Sequence, residues 1–109
     1  MAEVRLILST VDDAEAAQAI ADGLVADRLA ACVTILPGAT SVYRWQGSVE
    51  AAEERLLLIK TTAEREAACL ATLEELHPYD VPEALSLEVS AGLPAYLAWV
   101  AETVGREEG

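Results

Sequence analysis

The sequence predicts an α+β fold: a ferredoxin-like split βαβ antiparallel sandwich with a long central hairpin and a C-terminal helix. Three observations predict it. Short aliphatic and β-branched runs alternate with two amphipathic stretches in the order β-α-β-β-α-β. The two longest β-like runs are joined by a Gln46-Gly47-Ser48 turn. A last apolar-periodic segment opens at Gly92 and Pro94, with proline suited to a first helical turn.

Taken in order, Glu3 to Thr10 reads as a short strand. Asp12 and Asp13 are good capping residues, and Ala17, Ile20, Ala21, Leu24 and Arg28 then recur at helical spacing. That predicts a helix over 13–30, in which Gly23 costs about 1 kcal/mol relative to alanine. Residues Ala31 to Trp45 are β-like, with Pro37-Gly38 marking a bulge. Val49 to Thr62 returns as a second long strand, and its Leu56-Leu57-Leu58-Ile59 run suits a central position. Thr61 or Thr62 is expected to cap the next helix, with Glu64 completing a capping box.

That helix presents Cys69, Leu70, Leu73 and Leu76, holds His77 in its last turn near the negative dipole end, and stops at Pro78. Ala84 to Ser90 alternates as a strand with one buried face. The final helix carries Tyr96, Leu97, Trp99, Val100 and Val104, and Gly105 to Gly109 read as a frayed acidic tail.

The 109 residues fit one domain, 1–109, and 53% hydrophobic content suffices for a core without metal or disulfide staples. Neither a cleavable leader nor an apolar run of membrane-spanning length is visible, so a cytoplasmic protein with no membrane insertion is expected. The net charge is −12, and the seven Lys and Arg residues are scattered singly, which argues against nucleic acid as a partner. The acidic balance suits cations. Cys32 and Cys69 form no CxxC pair and are expected to be free thiols.

One length argument bears on assembly. Fully extended, Cys32 to Trp45 would reach about 46 Å, whereas a compact chain of this size is roughly 35 Å across. The hairpin should overhang its own domain with Tyr43 and Trp45 near the tip, and such aromatics on an unpaired ribbon point to an oligomer interface.

The same segments resemble the CutA family of divalent-cation tolerance proteins. The resemblance is carried by Arg28-Leu29-Ala30-Ala31-Cys32-Val33, Ile35-Leu36-Pro37-Gly38, Ser41-Val42-Tyr43-Arg44-Trp45-Gln46-Gly47, Leu57-Leu58-Ile59-Lys60-Thr61, Leu76-His77-Pro78-Tyr79 with Val81-Pro82-Glu83, and Ala95-Tyr96-Leu97-Ala98-Trp99. These cover nearly the whole chain in register. The resemblance implies a homotrimer with strands paired between subunits, a link to copper or other divalent-ion tolerance, and a likeness to PII-type signalling trimers. The chain departs from it at three places. Ser9 stands before Thr10 where some members have cysteine, Leu76 stands before His77 where some have a second histidine, and Thr34 stands where asparagine is frequent. A hydroxyl is a poor copper ligand beside a thiolate.

Three chemistries compete. His77, the only histidine, could ligate copper or another divalent cation together with Glu83 and Cys32. Lys60, the only lysine, could line an inter-subunit ligand cleft with Tyr79, Glu83, Tyr43 and Trp45. An enzyme is not expected: Ser9 and His77 lack a GxSxG elbow, and no Gly-rich phosphate loop is present. The alternative to ion or ligand binding is a PII-like signalling or adaptor trimer with no metal role.

Overall fold

The computed structural model describes residues 3–105. Its elements run β1 (Val4–Val11), α1 (Ala14–Ala26), β2 (Cys32–Trp45), β3 (Ser48–Thr62), α2 (Glu66–Leu76), β4 (Leu85–Glu88) and α3 (Pro94–Val104). The four strands form one antiparallel sheet in the order β2-β3-β1-β4. This is the α+β arrangement the element order predicts. Of the expected tail, residues 106–109 lie outside the described residues.

Helix α1 begins as expected, with the Asp13 side chain accepting from the Ala16 N–H. It ends at Ala26, four residues short of expectation. Arg28 is left-handed (φ 57°), and the Leu29 and Ala30 N–H groups turn back to the Leu24 carbonyl, closing the helix end. Gly23 has a packing reason: a Cβ there would stand 2.9 Å from Leu76 Cδ1, so α1 and α2 approach closely at this point.

The predicted capping box on α2 is not formed. Thr61 and Thr62 stay in the β3 ladder, opposite Arg5 and Val4, and the buried Thr61 hydroxyl donates to the Leu29 carbonyl at 2.6 Å. With both threonines held by the sheet, the helix starts after Arg65, which makes no side-chain cap. Arg65 instead donates through Nε to the Val104 carbonyl (2.8 Å), tying the start of α2 to the end of α3.

The hairpin follows the sequence reading closely. The register slips between Leu36 and Ala39, so Pro37-Gly38 is a bulge, with Gly38 at φ 80°. Trp45 pairs with Ser48 around a two-residue turn whose central residues, Gln46 and Gly47, both have positive φ (48° and 83°). That is the primed turn whose twist matches an antiparallel ribbon. The ribbon makes the molecule 50 Å long but only 28 × 21 Å across, as the length argument requires.

Strand alternation sorts the sheet into two faces. Ile7, Val11, Leu57 and Ile59 face α1 and α2 and form the main core with Ile20, Leu24, Cys69 and Leu73. Burial pushes the Cys69 thiol up to about 11. Val4 lies three residues from Ile7, hence on the opposite face, and there it packs with Ala31, Val100 and Val104. α1 and α2 thus share one face of the sheet, whereas α3 caps one end of the other. The rest of that face is uncovered in the single chain. It carries Leu6, Leu8, Leu56, Leu58, Lys60, Cys32 and Thr34 by register. β4 adds Leu85 and Leu87 opposite Leu8 and Leu6. Both β4 leucines are exposed (58% and 45%), so the one buried face expected of this strand does not exist within one chain.

Truncating Leu73, fully buried between α2 and the sheet, should lower the unfolding free energy by about 2–5 kcal/mol for Leu73→Ala in urea denaturation. Exposed Ala67→Ser on the same helix should change it by less than about 0.5 kcal/mol.

Candidate functional site

β1 ends at Val11, opposite Arg55, while β2 and β3 run on as a two-stranded arm. The segment linking α2 to β4 crosses this end of β1 and meets the arm. His77 pins it there. Its Nε2–H donates to the Thr10 carbonyl (2.8 Å), and its Nδ1 accepts from the Tyr79 N–H (3.2 Å). Both bonds fit the neutral ring with its proton on Nε2. The imidazole is buried, and its ring meets Tyr79 edge-on with centroids 4.6 Å apart. His77 closes α2 in an extended conformation, just outside the last helical turn.

Tyr79 carries the link to the arm. Its hydroxyl donates to Glu54 Oε2 at 2.7 Å. Burial, then this bond, then the negative charges of Glu54 and Asp12 push the phenol well above the ordinary tyrosine range, outweighing an opposing backbone hydrogen bond near Asp12. The hydroxyl therefore remains a donor at neutral pH. On the far side of the β1 end, Arg55 Nη1 donates to the Asp12 carbonyl at 2.8 Å.

Between the arm and this segment lies an open groove of about 700 Å³. Tyr43, Trp45, Glu50 and Glu54 line it from the arm, and Tyr79 and Glu83 from the segment after α2. Pairing explains the arm's contribution: Glu50, Ala52 and Glu54 alternate on one face of β3, and Tyr43 stands opposite Glu50. Four of the five ligand residues expected from sequence thus share one groove. The fifth, Lys60, does not. Its Nζ donates to Thr34 Oγ1 (2.5 Å) and lies 3.7 Å from Cys32 Sγ on the open sheet face.

The expected metal ligands are likewise divided within one chain. Cys32 stands opposite Lys60, which stands opposite Leu6, whereas His77 binds Thr10 four residues further along β1, a separation of about 13 Å along the strand. Glu83 lies in the groove. Among the described residues no group of three His, Cys, Asp or Glu side chains is gathered as a metal cage. Ser9 faces the helix-side core, and its buried hydroxyl has no hydrogen-bond partner among the described residues. Sequence reasoning missed Glu54, the buried carboxylate of the groove, and Glu50. In a chain with nineteen acidic residues nothing distinguishes them except that they share the strand face opposite Tyr43.

Raising the pH should oppose the Tyr79–Glu54 contact. Because the folded phenol titrates above its unfolded value, its stabilising contribution is present below the unfolded tyrosine range and is lost as pH rises above it. Alkaline spectrophotometric titration of the native protein should show one late tyrosine, and Tyr79→Phe should abolish that late phase.

The comparisons with known proteins identify the family. The family model described as CutA1 divalent ion tolerance protein matches residues 5–103. The divalent-cation tolerance protein CutA of Thermus thermophilus is 47% identical over 100 residues, 92% of this chain and 97% of that protein. Its counterpart in Pectobacterium atrosepticum is 47% identical over 87% of this chain and 86% of its own length. The crystal structure of CutA from Xylella fastidiosa superposes with a TM-score of 0.92 at 51% identity, covering 94% of this chain and 98% of that one. The CutA of Archaeoglobus fulgidus, described as periplasmic, gives 0.90 at 34% identity over 94% of this chain and 99% of that one. With the family model spanning nearly the whole chain, and with relatives this similar along most of their length, the chain belongs to the CutA1 divalent ion tolerance family.

Proposed function

We propose that this chain works as a homotrimer in divalent-cation tolerance, binding a divalent cation such as copper, or a small ligand, in a cleft between subunits. The groove between the arm and the segment after α2 carries the reading: it joins aromatic walls to carboxylates and is left open in the single chain. The trimer is supported by the overhanging arm and by the uncovered face bearing Leu6, Leu8, Leu58, Leu85 and Leu87. A binding role rather than a catalytic one is supported by His77, whose two ring nitrogens are both engaged, and by Ser9, whose hydroxyl lies in the core away from any base.

For a metal, His77 offers an imidazole and Glu83 a carboxylate from the same segment, and Cys32 would join them from a neighbouring subunit. A cation at His77 would have to displace one of its two hydrogen bonds. A cytoplasmic location is supported by the two free cysteines. The second reading, a PII-like signalling or adaptor trimer, is favoured by the exposure of Trp45 (53%) near the arm tip.

Sedimentation should give a trimer, and Leu58→Asp on the uncovered face should dissociate it. Calorimetric titration of Cu(II), and of Cu(I) under reducing conditions, should show saturable binding that His77→Ala weakens by about tenfold or more. Equal affinity in the two proteins removes copper from His77. Binding of one protein partner per trimer, lost in Trp45→Ala, would favour the adaptor reading.

A further inference from the structure

We propose that the groove takes an organic cation, an aliphatic amine whose ammonium group meets Glu54 and whose methylenes lie along Tyr43 and Trp45. The proposal deepens the reading of this groove as the ligand site and rests on it.

Glu54 carries the argument. It is only 7% exposed, and the one donor on its carboxylate is the neutral Tyr79 hydroxyl. Among the described residues no lysine or arginine is seen in an ion pair with it. Arg55, its neighbour in sequence, donates to a backbone carbonyl instead. The carboxylate thus has a hydrogen bond but no countercharge among the described residues, and a cation in the groove would supply one.

The surroundings say what kind of cation. Glu50 and Glu83 line the same groove, and no lysine or arginine does. The carboxylates are strung out rather than gathered: Glu50 and Glu54 are four residues apart on one strand, about 13 Å, and no three acidic, histidine or cysteine side chains converge among the described residues. A metal ion needs its ligands within a few ångströms of one point. An extended amine satisfies separated carboxylates one after another. The rings of Tyr43, Trp45 and Tyr79 line the same groove, and their faces attract an ammonium group while their apolar area suits methylenes.

Calorimetric titration of spermidine into the full chain, at physiological salt with excess Mg²⁺ as competitor, tests the proposal. The expected result is saturable binding that survives Mg²⁺ and that both Glu54→Gln and Trp45→Ala weaken by about tenfold or more. Trp45 is exposed in the single chain, so its variant, once sedimentation shows an unchanged oligomeric state, tests the site even if Glu54→Gln perturbs folding. Binding that Mg²⁺ abolishes, or that neither variant changes, reports only diffuse attraction to a chain of charge −12 and overturns the proposal. If copper or zinc binds in a Glu54-dependent way and spermidine does not, the organic cation is wrong while the groove remains the ligand site. If none of them responds to Glu54→Gln or Trp45→Ala, both readings fall.

Discussion

The constraint behind the rest of the structure is a mismatch of strand lengths. β1 has eight residues, whereas β2 and β3 have 14 and 15. The sheet can be four strands wide only where β1 runs. Beyond the Val11–Arg55 pair the chain continues as a ribbon of two strands, and an isolated two-stranded ribbon is marginal in water. Something must lie against it. Within the chain, the segment after α2 does so at one point, through Tyr79 and Glu54. The groove is the space left between that single contact and the tip of the arm.

The charge pattern of the groove follows from how this contact is made. His77 is spent as a strut, with one ring nitrogen on β1 and the other on its own segment. Held there, it aims Tyr79 at Glu54, and the phenol supplies a hydrogen bond without supplying charge. The carboxylate is thereby largely drawn out of water with a hydrogen bond but no countercharge. Had an arginine stood at Tyr79, the same geometry would have closed into a buried ion pair with no reason to attract anything. The open face of the sheet has the opposite character: one ammonium, on Lys60, among leucines, held by a hydroxyl and close to a thiol.

The sequence was most legible where local chemistry and tertiary pairing agree. Pro37-Gly38 and Gln46-Gly47 read as bulge and turn because positive φ and a missing donor leave few alternatives. The order of elements, and with it the sheet, followed from periodicity. Legibility failed where a residue had two possible partners. Thr61 has a capping side chain, but the Leu29 carbonyl, far away in sequence, claimed it. β4 alternates as a half-buried strand should, yet the cover its leucines call for is absent from a single chain. Tyr43, Trp45, Tyr79 and Glu83 were found as a set because aromatic and charged residues stand out in an alanine-rich and leucine-rich chain. Lys60 was misplaced because it lies six residues beyond Glu54 along β3, about 20 Å away, a separation that residue type does not reveal. Glu54 was missed because burial, not residue type, makes it unusual.

The sheet order also governs when the fold can close during assembly. β2 and β3 are adjacent in sequence and meet through a two-residue turn, so they can zip locally on a microsecond scale. β1, the first strand made, sits between β3 and β4 and is completed only by the last strand. Its flanks are closed by contacts spanning most of the chain, such as Leu8 with Leu85, and such long-range pairings slow folding. An emerging chain thus builds its projecting ribbon early and its core late. The edge of β1 that faces β4 stays unpaired until residues 85–88 have been made.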